Sequence, residues 1–282
     1  MKDNSFTSEI KPQSSLIDFK LGEIWRYRDL VSMFVKRDLV TIYKQTILGP
    51  LWYLIQPILT TLVFTVIFGR VAKISTEGLP PFLFYLAGIT AWNYFAESFK
   101  NTADTFKKNE SIFGKVYFPR VVMPLSIVIS GLLKFLIQLL LFVGFIAYYW
   151  YKGVMLTPHW ELIWLLPLLL VLMGFLGLGF GMIISSLTTK YRDLTFLVQF
   201  GIQLLMYAAP VIYPISTIPD KYKWIIMLNP VTSIIETFRY IFLGEGLFSW
   251  YGLLYSSVFM IVLMFFALII FNRTEKNFMD TV

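Results

Sequence analysis

The chain has 282 residues, of which 57% are hydrophobic and 15% charged, and its mean hydropathy is +0.69. A soluble protein of this length leaves about a quarter of its unfolded surface exposed and could not hide so much apolar area, so the composition predicts an integral membrane protein. The net charge is +7 and cysteine is absent, which excludes disulfides, thiolate catalysis and cysteine-based metal sites.

Two segments precede the first long apolar run. Residues 1–20 are polar and lack the apolar core of a signal peptide, which predicts a flexible cytosolic tail. Residues 21–46 are predicted to form an amphipathic helix, because apolar side chains recur at close to a helical period between basic ones. Such a helix suits an anionic membrane surface. Two interpretations stay open: a plain membrane anchor, or an interface helix that contacts a cytosolic partner with Arg26, Arg28 and Arg37.

Six apolar segments are long enough, or nearly so, to cross a hydrocarbon core of about 30 Å as helices. They lie at about 51–69, 81–99, 122–149, 161–187, 194–213 and 250–271. With both termini in the cytosol, the inner segments hold 17 Lys and Arg against six outside, and this bias sets the orientation. The predicted fold class is an all-α membrane protein with six spans over 48–275 and a cytosolic tail at 276–282. The same bias explains the basic charge without nucleic acid.

The second cytosolic segment, from Lys107 to Pro124, reads KKNESIFGKVYFPRVVMP. A short helix here would present Ile112, Phe113 and Val116 beside Lys115 and end before Pro119. Exposed apolar side chains among cations suit a groove on another protein. An ordinary interfacial loop that contacts lipid is the alternative interpretation.

The outer segment between Pro214 and Trp250 contains two apolar pieces that are too short to cross the membrane. Asn229 and Pro230 are predicted to start the second helix and Gly244 to end it, with Phe238 on its apolar side. Glu236 and Arg239 have the i, i+3 spacing of a local ion pair. A re-entrant or interfacial hairpin over the outer mouth is predicted, and an external gate is its functional interpretation.

Polar and aromatic side chains within the spans are candidates to line a substrate path, because polar groups are costly in lipid. The candidates are Trp52, Tyr53, Gln56 and Thr60 in the first span, Tyr85, Trp92, Asn93 and Tyr94 in the second, and Gln199, Gln203 and Tyr207 in the fifth. Aromatic faces and neutral hydrogen-bonding groups suit a sugar chain. The alternative is hydrogen bonding between helices with aromatic belts at the interfaces. Lys134, within the third span, is expected either to snorkel inward or to pair with Glu97.

Motifs of enzymes are absent from the sequence. There is no GxxxxGK[ST] loop for ATP, no HExxH and no carboxylate pair in a plausible pocket, so no catalytic or metal-binding residue is predicted. The glycines in GFLGLGFG (Gly174, Gly177, Gly179 and Gly181) lie within a span, which favours close helix packing over dinucleotide binding. The predicted class is a non-enzymatic membrane protein without a cofactor of its own.

Four ordered pieces of sequence resemble one known family. They are WRYRDLVSMFVKRDLVTIYKQTILGPLWYLIQP, then IFGKVYFPRVVMP, then TKYRDL followed by PVIYPI, and finally LNPVTSIIETFRYIFLG. This order resembles the membrane-spanning subunits of ABC-2 type exporters, specifically permeases for O-antigen and related cell-surface polysaccharides. The resemblance covers nearly the whole chain from about residue 20.

The resemblance implies a homodimer in the bacterial inner membrane, with a central channel and two separate ATPase subunits that hold ATP and magnesium. It places an interface helix at about 22–45, a coupling helix at about 107–118 and periplasmic gate helices at about 219–243. The implied cargo is a glycan on undecaprenyl diphosphate. Teichoic acid, or a small molecule or lipid, is an alternative cargo for the same architecture, and a membrane enzyme that modifies a lipid-linked sugar is the alternative of another class.

Overall fold

A computed structural model describes residues 21–44, 48–113, 118–189, 191 and 193–281, and the regular structure in these ranges is helical throughout. The helices are α1 (Leu21–Arg26), α2 (Arg28–Lys44), α3 (Trp52–Phe64), α4 (Pro81–Ala103), α5 (Thr105–Phe113), α6 (Val122–Tyr151), α7 (Leu166–Thr188), α8 (Leu194–Tyr207), α9 (Asp220–Met227), α10 (Pro230–Leu243) and α11 (Trp250–Thr281). Short 3₁₀ turns precede α3, α7 and α9, and a π-helical stretch, Thr65–Val71, continues α3. The all-helical prediction is confirmed for this part of the chain.

The predicted amphipathic helix is divided at Tyr27 into α1 and α2. Its apolar stripe packs on protein, because α2 lies against α6 and buries Val31 and Phe34. The Phe34 ring lies 5.7 Å from that of Phe118, in the segment that leads into α6. The helix is therefore attached to the Val122 end of α6, whereas Arg26, Arg28, Lys36 and Arg37 remain exposed.

Four helical segments are long and apolar enough to cross a membrane: Gly49–Val71, Val122–Tyr151, Trp160–Thr188 and Trp250–Thr274. The other two predicted spans differ in kind. α4 has 23 residues, but polar side chains interrupt it and the protein buries most of it. α8 has 14 residues and ends at Tyr207, shortly before Pro210, so it covers only about 21 Å at 1.5 Å a residue. Crossing by these two helices stays a prediction.

α4 lies at the centre of the bundle and packs against α3, α6, α7 and α10. Its contact with α7 depends on the glycines of α7, as predicted. A Cβ on Gly177 would lie 2.8 Å from the Phe95 carbonyl oxygen, and one on Gly181 would lie 2.4 Å from the Thr102 Cβ. No side chain fits in either place, so the glycine run brings the two backbones together.

The outer hairpin consists of α9 and α10, and both ends of α10 are where the sequence predicts them. The Asn229 side chain accepts a hydrogen bond from the Val231 backbone N–H at 3.1 Å, which caps the helix, and Pro230 occupies the first turn. Gly244 ends it in the left-handed conformation with φ of 83°. α10 packs against α4, α7 and α11 and is buried along nearly its whole length. It therefore belongs to the core of the bundle.

Candidate substrate path and coupling surfaces

Three of the predicted substrate-path residues form a polar line on the surface of α8. Gln199, Gln203 and Tyr207 follow one another at four-residue spacing, and all three are exposed. Neither glutamine hydrogen-bonds another residue that the structure describes. An amide that faces lipid without a partner is costly, which indicates that something other than lipid covers this face.

The predicted residues of the first span are also accessible. Trp52 and Gln56 are exposed on α3, and Tyr53 and Thr60 are partly exposed. The Thr60 hydroxyl donates to the Gln56 carbonyl oxygen at 2.9 Å, so the helix itself satisfies it. The Tyr53 ring lies 4.7 Å from the Lys134 ammonium, which turns it towards the protein.

The second predicted span behaves differently, and the prediction that its side chains line the path needs a correction. Tyr85, Trp92 and Tyr94 are buried, because neighbouring helices surround α4. The Tyr94 hydroxyl donates to the Val128 carbonyl oxygen at 3.4 Å, and Asn93 donates to Gln138 at 3.4 Å. These contacts match the alternative interpretation, hydrogen bonding between helices. In this conformation the buried aromatic side chains cannot contact a substrate.

The ion pair predicted in the outer hairpin is present, and it is buried. The Arg239 guanidinium donates to the Glu236 carboxylate at 2.8 Å, and both side chains are at most 1% exposed. Arg239 also donates to the Pro210 carbonyl oxygen at 2.7 Å and stacks 3.9 Å from the Phe84 ring. The Leu247 backbone N–H donates to the other Glu236 oxygen at 3.0 Å. One arginine thus connects α10 with α4 and with the segment that follows α8.

Four of the five predicted gate residues (Pro230, Glu236, Phe238 and Arg239) are buried in the bundle, and Asn229 is partly exposed. Phe238 is fully buried and its ring lies 5.7 Å from that of Phe142 on α6. α9 is the exposed arm of the hairpin, and there Lys223 donates to Asp220 at 2.7 Å and lowers the pKa of that carboxyl. The exposed surface at the outer end of the hairpin is therefore α9. The role of the hairpin as a gate stays a prediction.

The prediction that the segment from Lys107 to Pro124 exposes its apolar side chains also needs a correction. Phe113, at the end of α5, is only 3% exposed. It packs against Phe106 and Phe118, and the Arg120 guanidinium lies 5.4 Å from its ring. Ile112 is partly exposed. Lys115 and Val116, predicted for the same surface, lie outside the described residues.

The basic candidates of the interface helix are accessible. Arg26 and Arg28 are exposed at the junction of α1 and α2, and Arg28 stacks 5.8 Å from the Trp25 ring. Arg37 pairs with Asp38 at 2.8 Å and stacks 4.9 Å from Phe34. Exposed cations on α2 and the partly exposed Ile112 on α5 are therefore accessible at the end of the described bundle that is predicted to face the cytosol.

A cavity of about 620 Å³ opens between α2, α4, α5, α6 and the start of α3. At its inner wall the Lys134 ammonium bonds the Glu97 carboxylate, so the predicted pair between these residues is confirmed. No sequence pattern predicts that the other lining residues, among them Asp38, Lys100 and Ser130, lie around one cavity. The lining residues come from five helices, α2 to α6, and neither spacing nor periodicity within one helix brings them together.

Residues 29–243 match the ABC-2 type transporter family. The chain is 32% identical over 263 residues to the O-antigen export system permease protein RfbA of Klebsiella pneumoniae, which is 93% of this chain and 97% of that relative. It is 28% identical over 264 residues to the protein of the same name from Myxococcus xanthus, with 92% and 98% covered. It is 21% identical over 243 residues to the polysialic acid transport protein KpsM of Escherichia coli, with 85% and 91% covered.

The family match spans the helices from α2 to α10, including the glycine contact of α7 with α4 and the buried pair of α10. The relatives are named as permease and transport proteins. Several apolar helices, a nearly full-length alignment and the family match agree. This chain belongs to the ABC-2 type transporter family and is a multi-pass membrane protein.

Proposed function

We propose that this chain is the membrane-spanning permease subunit of an ATP-driven exporter in the bacterial inner membrane. Its cargo is a polysaccharide of the O-antigen kind, linked to undecaprenyl diphosphate and moved outward from the cytosol. The observation that carries the proposal is the nearly full-length similarity to permeases named for O-antigen export. A relative named for polysialic acid transport adds support for a polysaccharide as the cargo class.

Two copies of the chain form the channel in this proposal. In each copy, a line of amides and a phenol on α8, together with Trp52 and Gln56 on α3, is exposed and not covered by the described residues. A second copy would turn these faces towards a shared path, where hydroxyl groups of a glycan replace water as hydrogen-bonding partners. Six spans with both termini in the cytosol are part of the proposal, supported by the excess of Lys and Arg in the inner segments.

Two ATPase subunits complete the transporter and hold ATP and magnesium, because the sequence of this chain has no P-loop. They would contact the exposed cations of α2 and the end of α5 near Ile112. α5 packs against α4 and α7, and α2 packs against α6. Movement of the ATPase subunits would therefore reach the helices that position α3 and α8.

The test is a strain that lacks the gene for this chain, complemented with the wild-type gene. We expect the deletion to abolish surface polysaccharide and to leave lipid-linked glycan on the cytosolic side, and complementation to restore export. A partner ATPase with its phosphate-binding lysine replaced should reproduce the deletion. Normal surface polysaccharide in the deletion strain would overturn the proposal. Loss of a teichoic acid instead would reassign the cargo.

A further inference from the structure

The cytosolic cavity has the composition of a binding site. Most of its lining side chains carry hydrogen-bonding groups, among them Arg37, Asp38, Glu97, Ser98, Lys100 and Lys134, which is unusual for a gap between membrane helices. Because they come from α2 to α6, closure or opening between these helices changes the site.

The charges in the wall are unequal. Four cations face two carboxylates there. Arg37 is paired with Asp38, Lys134 with Glu97, and Lys108 with Asp104 at 3.1 Å. Lys100 forms no ion pair with any residue that the structure describes. Among the described residues, the cavity wall therefore has one cation that no carboxylate neutralises, which suits an anion.

Two hydroxyl groups in the cavity wall differ in their hydrogen bonding. The Ser98 side chain is 2% exposed, and its hydroxyl has no hydrogen-bond partner in the described structure. Six buried hydroxyls have no partner among the described residues, and that of Ser98 is the one in the cavity wall, where a bound molecule can complete its bonding. The Ser130 hydroxyl donates to the Ser126 carbonyl oxygen at 2.8 Å and has a longer contact with Asp38 at 3.5 Å, so the helix already satisfies it.

The depth of the cavity restricts the ligand further. Lys108 and Asn109 on α5 lie at its cytosolic side. Lys134 lies twelve residues after the start of α6 at Val122, about 18 Å along that helix. In the proposed topology, a ligand in this space has its polar group between the cytosolic end of the bundle and the level of Lys134.

We propose that this cavity binds a phosphate or diphosphate group, as the headgroup of the lipid-linked cargo before it enters the path. Lys100 supplies the free cation, Ser98 a free hydroxyl donor, and Arg37 and Lys108 strengthen the field. The inference rests on the proposed function for the identity of the lipid. The binding chemistry stands on the cavity alone.

The test measures direct binding to the full-length permease in nanodiscs of neutral phosphatidylcholine. The probe is farnesyl diphosphate, compared with farnesol, inorganic diphosphate and nanodiscs that contain phosphatidylglycerol. We expect farnesyl diphosphate to bind, farnesol not to bind, and phosphatidylglycerol to compete weakly. If inorganic diphosphate binds, but more weakly than farnesyl diphosphate, the phosphate group is the recognised part. Equal affinities for the two compounds would assign the site to free phosphates.

Two variants locate the site. Lys100→Gln should weaken farnesyl diphosphate binding about tenfold or more, the range for a lost charge-assisted hydrogen bond. Ser98→Ala should weaken it about threefold, and because that hydroxyl has no protein partner its removal leaves the fold intact. Lys107→Gln is the matched control: it removes the same charge from an exposed side chain of α5 that is not part of the cavity wall.

Equal affinities in the Lys100→Gln, Lys107→Gln and wild-type proteins would overturn the proposal, as would equal binding of farnesol or no binding by the wild type. Tight binding of phosphatidylglycerol with displacement of the diphosphate would assign the cavity to ordinary membrane lipid. Export measured in the complemented strain tests the proposed export function independently of the proposed phosphate site. A permease that exports glycan normally but shows unchanged binding in Lys100→Gln contradicts only this inference.

Discussion

Arg239 is a fully buried cation that holds three segments together through side-chain and backbone acceptors. Its neighbours leave no room for change: a Cβ on Gly88 would lie 3.0 Å from the guanidinium and 2.9 Å from the Val211 carbonyl oxygen. Breaking a buried pair leaves one charge without compensation, whereas an exposed pair loses little. Two ion pairs of the same spacing in neighbouring helices are therefore expected to contribute differently to stability: Glu236–Arg239 is buried, whereas Asp220–Lys223 is exposed.

Replacement of Arg239 by Met is expected to destabilise the protein by about 3–5 kcal/mol, because the Glu236 carboxylate remains buried without its partner. The measurement is thermal unfolding of the purified permease, followed by tryptophan fluorescence. Lys223→Met is the matched control, since it removes a lysine at i, i+3 from an exposed aspartate, and we expect no measurable shift. Equal shifts in the two variants would contradict the structural role of the buried pair.

The sequence predicts the Glu236–Arg239 pair from its spacing, yet it does not predict its burial. Spacing reports only contacts along one helix. Burial depends on Phe84 and Pro210, which lie on segments far away in the chain. The same limit applies to Tyr85 and Trp92: their residue types suit a path, but the helices that surround α4 decide that they are buried. Phe113 is a third case, hidden by Phe106 and Phe118.

At the scale of elements, local signals predict the ends and the close contacts of helices well. Asn229, Pro230 and Gly244 mark both ends of α10, and the glycines of α7 mark the face that meets α4. The ends of α8 and the kind of surface that covers α4 are less accessible to prediction. An apolar side chain looks the same whether lipid or protein covers it, so hydropathy cannot separate a lipid-facing span from a buried helix.

The α4–α7 contact provides a prediction at this scale. Gly177→Ala should lower stability by about 1–3 kcal/mol, because the new Cβ would lie 2.7 Å from the Ser98 Cβ and must push the helices apart. Gly144→Ala, on α6, is the control: no atom lies within 4 Å of its Cβ, so helix propensity alone acts and stability should be unchanged or slightly higher. Thermal unfolding measures both. Destabilisation of the same size at Gly144 would show that the close contact is not the cause.

α5 provides a second prediction, which separates folding from coupling. Phe113→Ala should destabilise the permease by about 3–5 kcal/mol, because it empties a buried aromatic site. Ile112→Ser, one residue earlier and partly exposed, should leave the melting temperature near that of the wild type and weaken association with the ATPase subunit. Melting and co-purification are measured on the same preparations. Full ATPase association by Ile112→Ser, together with normal export, would remove Ile112 from the coupling surface.

At the scale of the whole molecule, the number of crossings depends on α4 and α8, the two predicted spans that are either less apolar or too short. Whether these two helices cross the membrane can be tested by finding the side on which their flanking residues lie. Lys73 and Lys107 lie on either side of α4, and Tyr191 and Lys221 on either side of α8. Since the chain has no cysteine, each position can be tested with a single introduced thiol.

We expect Lys73→Cys and Lys221→Cys to react with a membrane-impermeant maleimide in intact spheroplasts. Lys107→Cys and Tyr191→Cys should react only after permeabilisation, because six crossings place them in the cytosol. Lys152→Cys, in the exposed loop between α6 and α7, serves as an outer reference. If the two positions around α4, or the two around α8, react from the same side, that helix does not cross and the six-span topology is wrong.

The polar face of α8 leads to the last prediction, which concerns assembly. A Gln203 side chain in lipid would lack hydrogen-bonding partners, whereas in a path between two copies it would contact water or glycan. A thiol at Gln203→Cys should therefore react with a small hydrophilic methanethiosulfonate reagent. A thiol at Leu140→Cys, on the exposed apolar face of α6, should react only with a lipid-soluble one. Addition of the transported glycan should protect Gln203→Cys and not Leu140→Cys, because only the first lies on the path. Identical reactivity of the two thiols towards both reagents would place α8 against lipid and remove it from the channel wall.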